Sequence, residues 1–81
     1  MNRPEIILEH PVEFDGVRYE RLTVASFDAV AHYESHNLAR VILSFANVYG
    51  VPRRVMRALH PSDAVRAGAL VLALREELFG D

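Results

Sequence analysis

The stretch Glu5–Val24, EIILEHPVEFDGVRYERLTV, decides the fold. Its β-branched and aromatic residues flank Asp15-Gly16, a two-residue turn signal of the type I′ kind, so residues 5 to 14 and 17 to 24 read as the two strands of an antiparallel hairpin. Pairing Phe14 with Val17 places Val12 opposite Tyr19 and Leu8 opposite Thr23, while Leu22 and Val24 point to the other side together with Ile7. The apolar face therefore switches partway along. A bulge near Pro11, which has no N–H for a ladder, reconciles the pattern and makes the first strand an edge. A lone hairpin is marginal in water, so helices must cover it.

The remainder of the chain predicts three or four of them. A short helix over Phe27–Glu34 has Ser26 as N-cap, Asp28 in its first turn, and Phe27, Val30 and Ala31 on one side. Asn37 can cap the next, in which Leu38, Val41, Ile42, Phe45, Val48 and Tyr49 form one stripe opposite Arg40, Ser44 and Asn47, with Gly50 as its stop. Pro52 suits the first position of a short helix through Leu59. Pro61 does the same for a longer one, whose early Asp63 favours the positive end of the helix dipole. The fold class is α+β: one domain over residues 1–81, an N-terminal β-hairpin followed by three or four α-helices.

At 81 residues, 51% apolar and 25% charged, the composition is that of a small globular domain. A domain this short buries only about 60 to 65% of its unfolded surface, so self-association or a partner would help it. The formal charge of −2 lacks the field of a nucleic-acid binder. All nine basic residues are Arg, which removes Schiff-base chemistry and the phosphate-binding Lys of a P-loop. The lack of Cys removes disulfides, thiolate zinc sites and thiol nucleophiles, and is compatible with a reducing cytosol. The longest apolar run, Ala67–Leu74, is far short of the roughly 18 residues that span a bilayer, so neither export nor membrane spanning is indicated and no membrane is expected as a partner.

Few residues carry a chemical signature. His32 and His36 have the spacing of two metal ligands on one helix face, with Asp28 and Glu34 nearby, but Ser35 and Asn37 favour a break there and a solvated helix end is the better reading. His60, Ser62 and Asp63 have the residue types of a hydrolytic triad; as near neighbours they cannot line up as one, and HPSD reads as a helix start. No metal, cofactor or catalytic residue is expected. Arg53, Arg54 and Arg57 form the one local basic cluster, in a segment with the spacing of a helix-turn-helix. A small DNA-binding regulator is therefore the alternative reading. The net charge and the scarcity of base-reading side chains on that short helix weigh against it.

The last predicted helix has more apolar surface than one small core needs. Ala64, Ala67, Val71, Leu74 and Leu78 form a core-facing stripe, and Val65, Gly68, Leu72 and Phe79 form a second beside it, the candidate partner-binding surface. Gly68 costs a helix about 1 kcal/mol relative to Ala, and with Ala64 one turn away it predicts close packing of a second helix on that partner-facing side.

The order of these pieces resembles a family. HPVEFDGVRYERLTV followed by LARVILSFANVYGVPRRVMRALHPSDAVRA is similar, over nearly the whole chain, to the small tail assembly chaperones of Mu-like contractile-tailed bacteriophages. The shared features are the Pro-containing first strand, the Asp15-Gly16 hairpin ending in Leu22-Thr23-Val24, the amphipathic helix closing at Gly50-Val51-Pro52, the Leu59–Asp63 helix start and the apolar last helix. Ala25-Ser26-Phe27 departs from it, where a Pro-Thr-like turn is expected. The resemblance implies a non-enzymatic phage or prophage protein in the cytoplasm of the bacterial host. Its implied partners are the long, helix-rich tape measure protein, kept soluble until the tail tube assembles, further copies of itself, and a longer frameshifted form.

Overall fold

The computed structural model describes residues 3–33 and 38–80. The hairpin forms as expected: β1 (Glu5–Phe14) pairs antiparallel with β2 (Val17–Thr23) in a two-stranded sheet. Asp15 and Gly16 both have positive φ, 52° and 77°, the pair of left-handed conformations that a type I′ turn requires. Phe14↔Val17, Glu13↔Arg18 and Val12↔Tyr19 are partners above a register shift, and Ile7↔Arg21, Ile6↔Leu22 and Glu5↔Thr23 below it.

The irregularity near Pro11 is larger than a simple bulge. Four residues of β1, Leu8 to Pro11, lie across from Glu20 alone, so the partner of Thr23 is Glu5 and not Leu8. The shift resolves the switching apolar face differently from the sequence expectation. Ile7 faces Arg21 and is exposed, whereas Ile6 sits opposite the buried Leu22, and Leu8 and Val12 both enter the core.

Four helices follow: α1 (Phe27–Ala31), α2 (Leu38–Tyr49), α3 (Arg53–Ala58) and α4 (Pro61–Phe79). Ser26 caps α1 as expected, its Oγ accepting the Ala29 N–H at 3.1 Å, but α1 ends at Ala31, short of the predicted Glu34. Helix α2 ends in a Schellman turn: Gly50 is left-handed at φ 65°, and the Val51 N–H donates to the Ala46 carbonyl at 3.2 Å. The Ala25 and Ser26 amides take up the Val48 carbonyl, tying the exit of β2 to the end of α2. Pro52 is the N-cap of α3 rather than its first helical residue, and α3 closes one residue before Leu59. Pro61 does occupy the first turn of α4.

The core lies between the hairpin and the helices. Leu22, Val24, Val30, Val48, Val55 and Val71 are fully enclosed, and Phe45, Tyr49, Met56 and Leu74 complete the layer. On α2, Phe45, Val48 and Tyr49 are buried while Val41 and Ile42 are half-buried, which matches the expected stripe from Val41 onward; Asn37 and the side chain of Leu38 lie outside what is described. Helices α3 and α4 both pack on β1, and α4 also meets α1 and α2. No helix among the described residues is long and apolar enough to cross a membrane.

Candidate functional site

Helix α4 is the element that shapes the candidate surface, and its placement begins at its N-terminus. His60 is the N-cap, its Nδ1 accepting the Ser62 N–H at 3.2 Å and lying 2.9 Å from Ser62 Oγ. Asp63 does more than complement the dipole. Its fully buried carboxylate reaches the irregularity in β1, where Oδ1 accepts the Glu9 N–H at 3.1 Å and Oδ2 the His10 N–H at 3.0 Å. These are the amides that the register shift leaves without strand partners. Burial opposes ionisation of Asp63. The two amides, the nearby His10 and the Arg66 guanidinium outweigh it and hold the carboxyl below its ordinary value. Arg66 Nη1 donates to Asp63 Oδ1 at 3.2 Å and to the Ile7 carbonyl at 2.9 Å, closing the staple from the solvent side.

The sequence reading of His60, Ser62 and Asp63 as a helix start agrees with this geometry. His60 and Ser62 bond each other, while the Asp63 carboxylate is taken up by β1 and Arg66. The staple itself was not legible. Its only signals in the sequence are Pro11, which announces a bulge with amides to satisfy, and an acid at the third position of an otherwise small-residue helix start.

Along α4 the expected core stripe holds over Ala67, Val71 and Leu74, all buried, with Ala64 half-buried; Leu78 breaks from it and is half exposed. The helix outruns the body beneath it by about its last turn. Of the four residues expected on the second stripe, Val65, Leu72 and Phe79 are exposed, at 71%, 49% and 52%. They recur every seven residues and so share one line along the rod.

Gly68 is different. A Cβ built there would lie 3.3 Å from Phe45 Cζ and 3.8 Å from the Tyr33 hydroxyl, so the close approach expected on the partner-facing side is made instead by this chain's own α2, on the inner side of the helix. Around it Tyr33 and Phe45 stack with centroids 5.5 Å apart, and Phe45 and Tyr49 meet at 6.3 Å. Tyr49 donates its hydroxyl to the Ala67 carbonyl at 2.8 Å, and burial pushes its phenol well above the ordinary range. Gly68 thus seats α4 rather than lining its outer face.

Beyond Leu72 the strip continues into an open groove lined by Ala31, Leu72, Arg75, Glu76, Phe79 and Gly80. Arg75 Nη1 donates to the Tyr33 carbonyl at 3.4 Å, bracing this half of α4 against the end of α1. What the surface offers a ligand is a line of aliphatic and aromatic side chains with one positive and one negative group at its rim. That chemistry suits the apolar side of another helix.

The other sequence candidates are placed less productively. Arg53, Arg54 and Arg57 are exposed on α3 and none has an ion-pair partner among the described residues, but six residues make that helix only about 9 Å long. His32 lies 3.9 Å from Asp28, both solvent-exposed, whereas Glu34 and His36 lie outside the described residues. No group of three or more metal-ligating side chains gathers among the described residues. Comparison with protein-family models, with curated proteins and with solved structures finds no match.

Proposed function

We propose that this chain is a non-enzymatic phage or prophage tail assembly chaperone, which binds the tape measure protein in the bacterial cytoplasm and keeps it soluble until the tail tube assembles. The observation that carries the reading is the exposed line Val65, Leu72 and Phe79 on α4, left uncovered by the chain's own core. The sequence resemblance supplies the identity of the partner. A tape measure is a long helical chain that shows apolar stripes until it is enclosed. A partner helix laid on this line would remove Leu72 and Phe79 from water, each side chain worth up to about 1.5–3 kcal/mol. Several copies along one target would hold it by many weak contacts, which can be displaced when the tube closes.

The test is co-expression with a tape measure protein from the same genome. The wild-type chain should keep the tape measure in the soluble fraction and co-purify with it; Leu72→Glu should fold normally and do neither. Retention of the tape measure by that variant would remove the α4 line from the proposal. A soluble tape measure in the absence of the chain would remove the chaperone role. The DNA-binding alternative rests on the exposed Arg53, Arg54 and Arg57. It requires duplex affinity that falls steeply with salt, and no binding at low salt would end it.

A further inference from the structure

The outer edge of β2 presents backbone groups that no neighbouring strand takes up among the described residues. The sheet has two strands, the helices that cover it pack on β1, and no strand lies beside β2 among the described residues. In a two-residue hairpin the residues flanking the turn exchange their hydrogen bonds, so the Val17 and Tyr19 backbones point at β1. By alternation, the N–H and C=O groups of Arg18 and Glu20 point outward; below the irregularity the Val24 N–H donates to the Pro4 carbonyl at 2.9 Å, so there the Leu22 backbone turns toward β1.

We propose that this edge pairs with the same edge of a second copy, antiparallel and centred on Tyr19, to form a four-stranded sheet across a two-fold axis. Charge selects both the occupant and the register. About Tyr19, the axis sets Arg18 opposite Glu20 of the other copy, and Glu20 opposite its Arg18. Both side chains are already extended on one face, where Arg18 Nε donates to Glu20 Oε1 at 3.0 Å and Nη1 to Glu13 at 3.3 Å, more than half exposed in each case. Pairing therefore adds a third carboxylate around each guanidinium.

Moving the centre one residue either way sets Glu20 against Glu20 or Arg18 against Arg18, and like charges directly opposite are destabilising. Charged side chains on an edge strand ordinarily discourage pairing. This arrangement discourages the neighbouring registers and spares one. On the other face, the half-buried Tyr19 meets its own symmetry mate at a site where the strands approach closely, and the exposed Val17 lies against the stem of Arg21. The contact is isologous, so it closes at two copies and leaves both α4 lines free.

The experiment is sedimentation of the intact chain over a concentration series at low salt. The wild type should show a monomer–dimer equilibrium. Arg18→Glu and Glu20→Arg should each raise the dissociation constant at least about tenfold. An equimolar mixture of the two variants should restore the dimer, because each reversed strand complements the other. The chain has no cysteine, so Tyr19→Cys should cross-link at the axis under mild oxidation, where facing Cα atoms approach to about 4.5 Å, while Arg21→Cys should not. Leu72→Glu should leave the dimer intact. A wild type that stays monomeric, single reversals that still dimerise, or a mixture that fails to recover would each overturn the proposal. If Tyr19→Cys lowers the thermal transition too far to interpret, the mixing experiment decides alone.

Discussion

The ring of His10, in the irregular stretch of β1, lies nearly parallel over the ring of His60, the N-cap of α4, with centroids 3.9 Å apart and an interplanar angle of 18°. The stack sits beside the Asp63 carboxylate that binds the His10 amide, so one short segment of strand is held to one helix terminus by both side chain and backbone. The position of α4, and with it the direction of its exposed line, depends on this junction.

Replacing Asp63 by Ala should be among the most damaging polar substitutions in the chain. It strips the Glu9 and His10 amides of their acceptor, and an orphaned buried amide costs about 1–3 kcal/mol. In a domain of this size, each 1 kcal/mol lowers the thermal midpoint by roughly 4–8 °C. Thermal unfolding followed by circular dichroism checks it, and a midpoint unchanged from the wild type would contradict the staple.

The same carboxylate sets an acid dependence. Its folded value is held below the unfolded one of about 4, so the stability it contributes is complete above that value and is lost as pH falls through the folded one. Denaturant midpoints measured from pH 6 down to pH 2 should decline less steeply for Asp63→Asn than for the wild type.

At the alkaline end the relevant group is Tyr49. Burial raises its phenol above the unfolded value of about 10, so its contribution is full below that and fades as pH rises beyond it. Tyr49→Phe should lose about 1 kcal/mol at neutral pH with the hydrogen bond to Ala67, and should flatten the alkaline decline. Ultraviolet absorbance of tyrosinate should show one phenol that ionises only with unfolding.

On α4 the two faces should separate cleanly under substitution. Leu74→Glu places a charge in the core and should cost upward of about 3 kcal/mol, whereas Leu72→Glu, on the exposed line, should change stability by about 0.5 kcal/mol or less.

Gly68 should respond to size rather than to charge. Ala there gains about 1 kcal/mol of helix propensity and displaces only the tip of the Phe45 ring, so the net change should be small. A larger side chain, as in Gly68→Leu, should drive α2 and α4 apart and lower the thermal midpoint sharply.

Local chemistry made much of this fold legible. Asp15-Gly16, Ser26, Gly50 and Pro61 each do their work within a few residues of themselves, and each was found where its residue type predicts. The register of the hairpin was not legible below Val12, because the three-residue shift is held by Asp63, a residue 53 and 54 positions away in the chain. Periodicity likewise placed Ala67, Val71 and Leu74 on the inner face of α4 and Val65, Leu72 and Phe79 on the outer one, though it put Leu78 on the wrong side. It could not tell that Gly68 belongs to the inner one, since that depends on the ring of Phe45 arriving from another helix.

The distance between Asp63 and its two amides has a consequence for synthesis. A chain emerging from the ribosome presents the hairpin long before the residue that settles its pairing. During that interval the plain ladder, with Leu8 across from Thr23, competes with the native one. Residues 1–50 made as a fragment should therefore adopt the uninterrupted ladder or none. The final pairing of residues 5–11 is decided only after the sixty-third has left the tunnel.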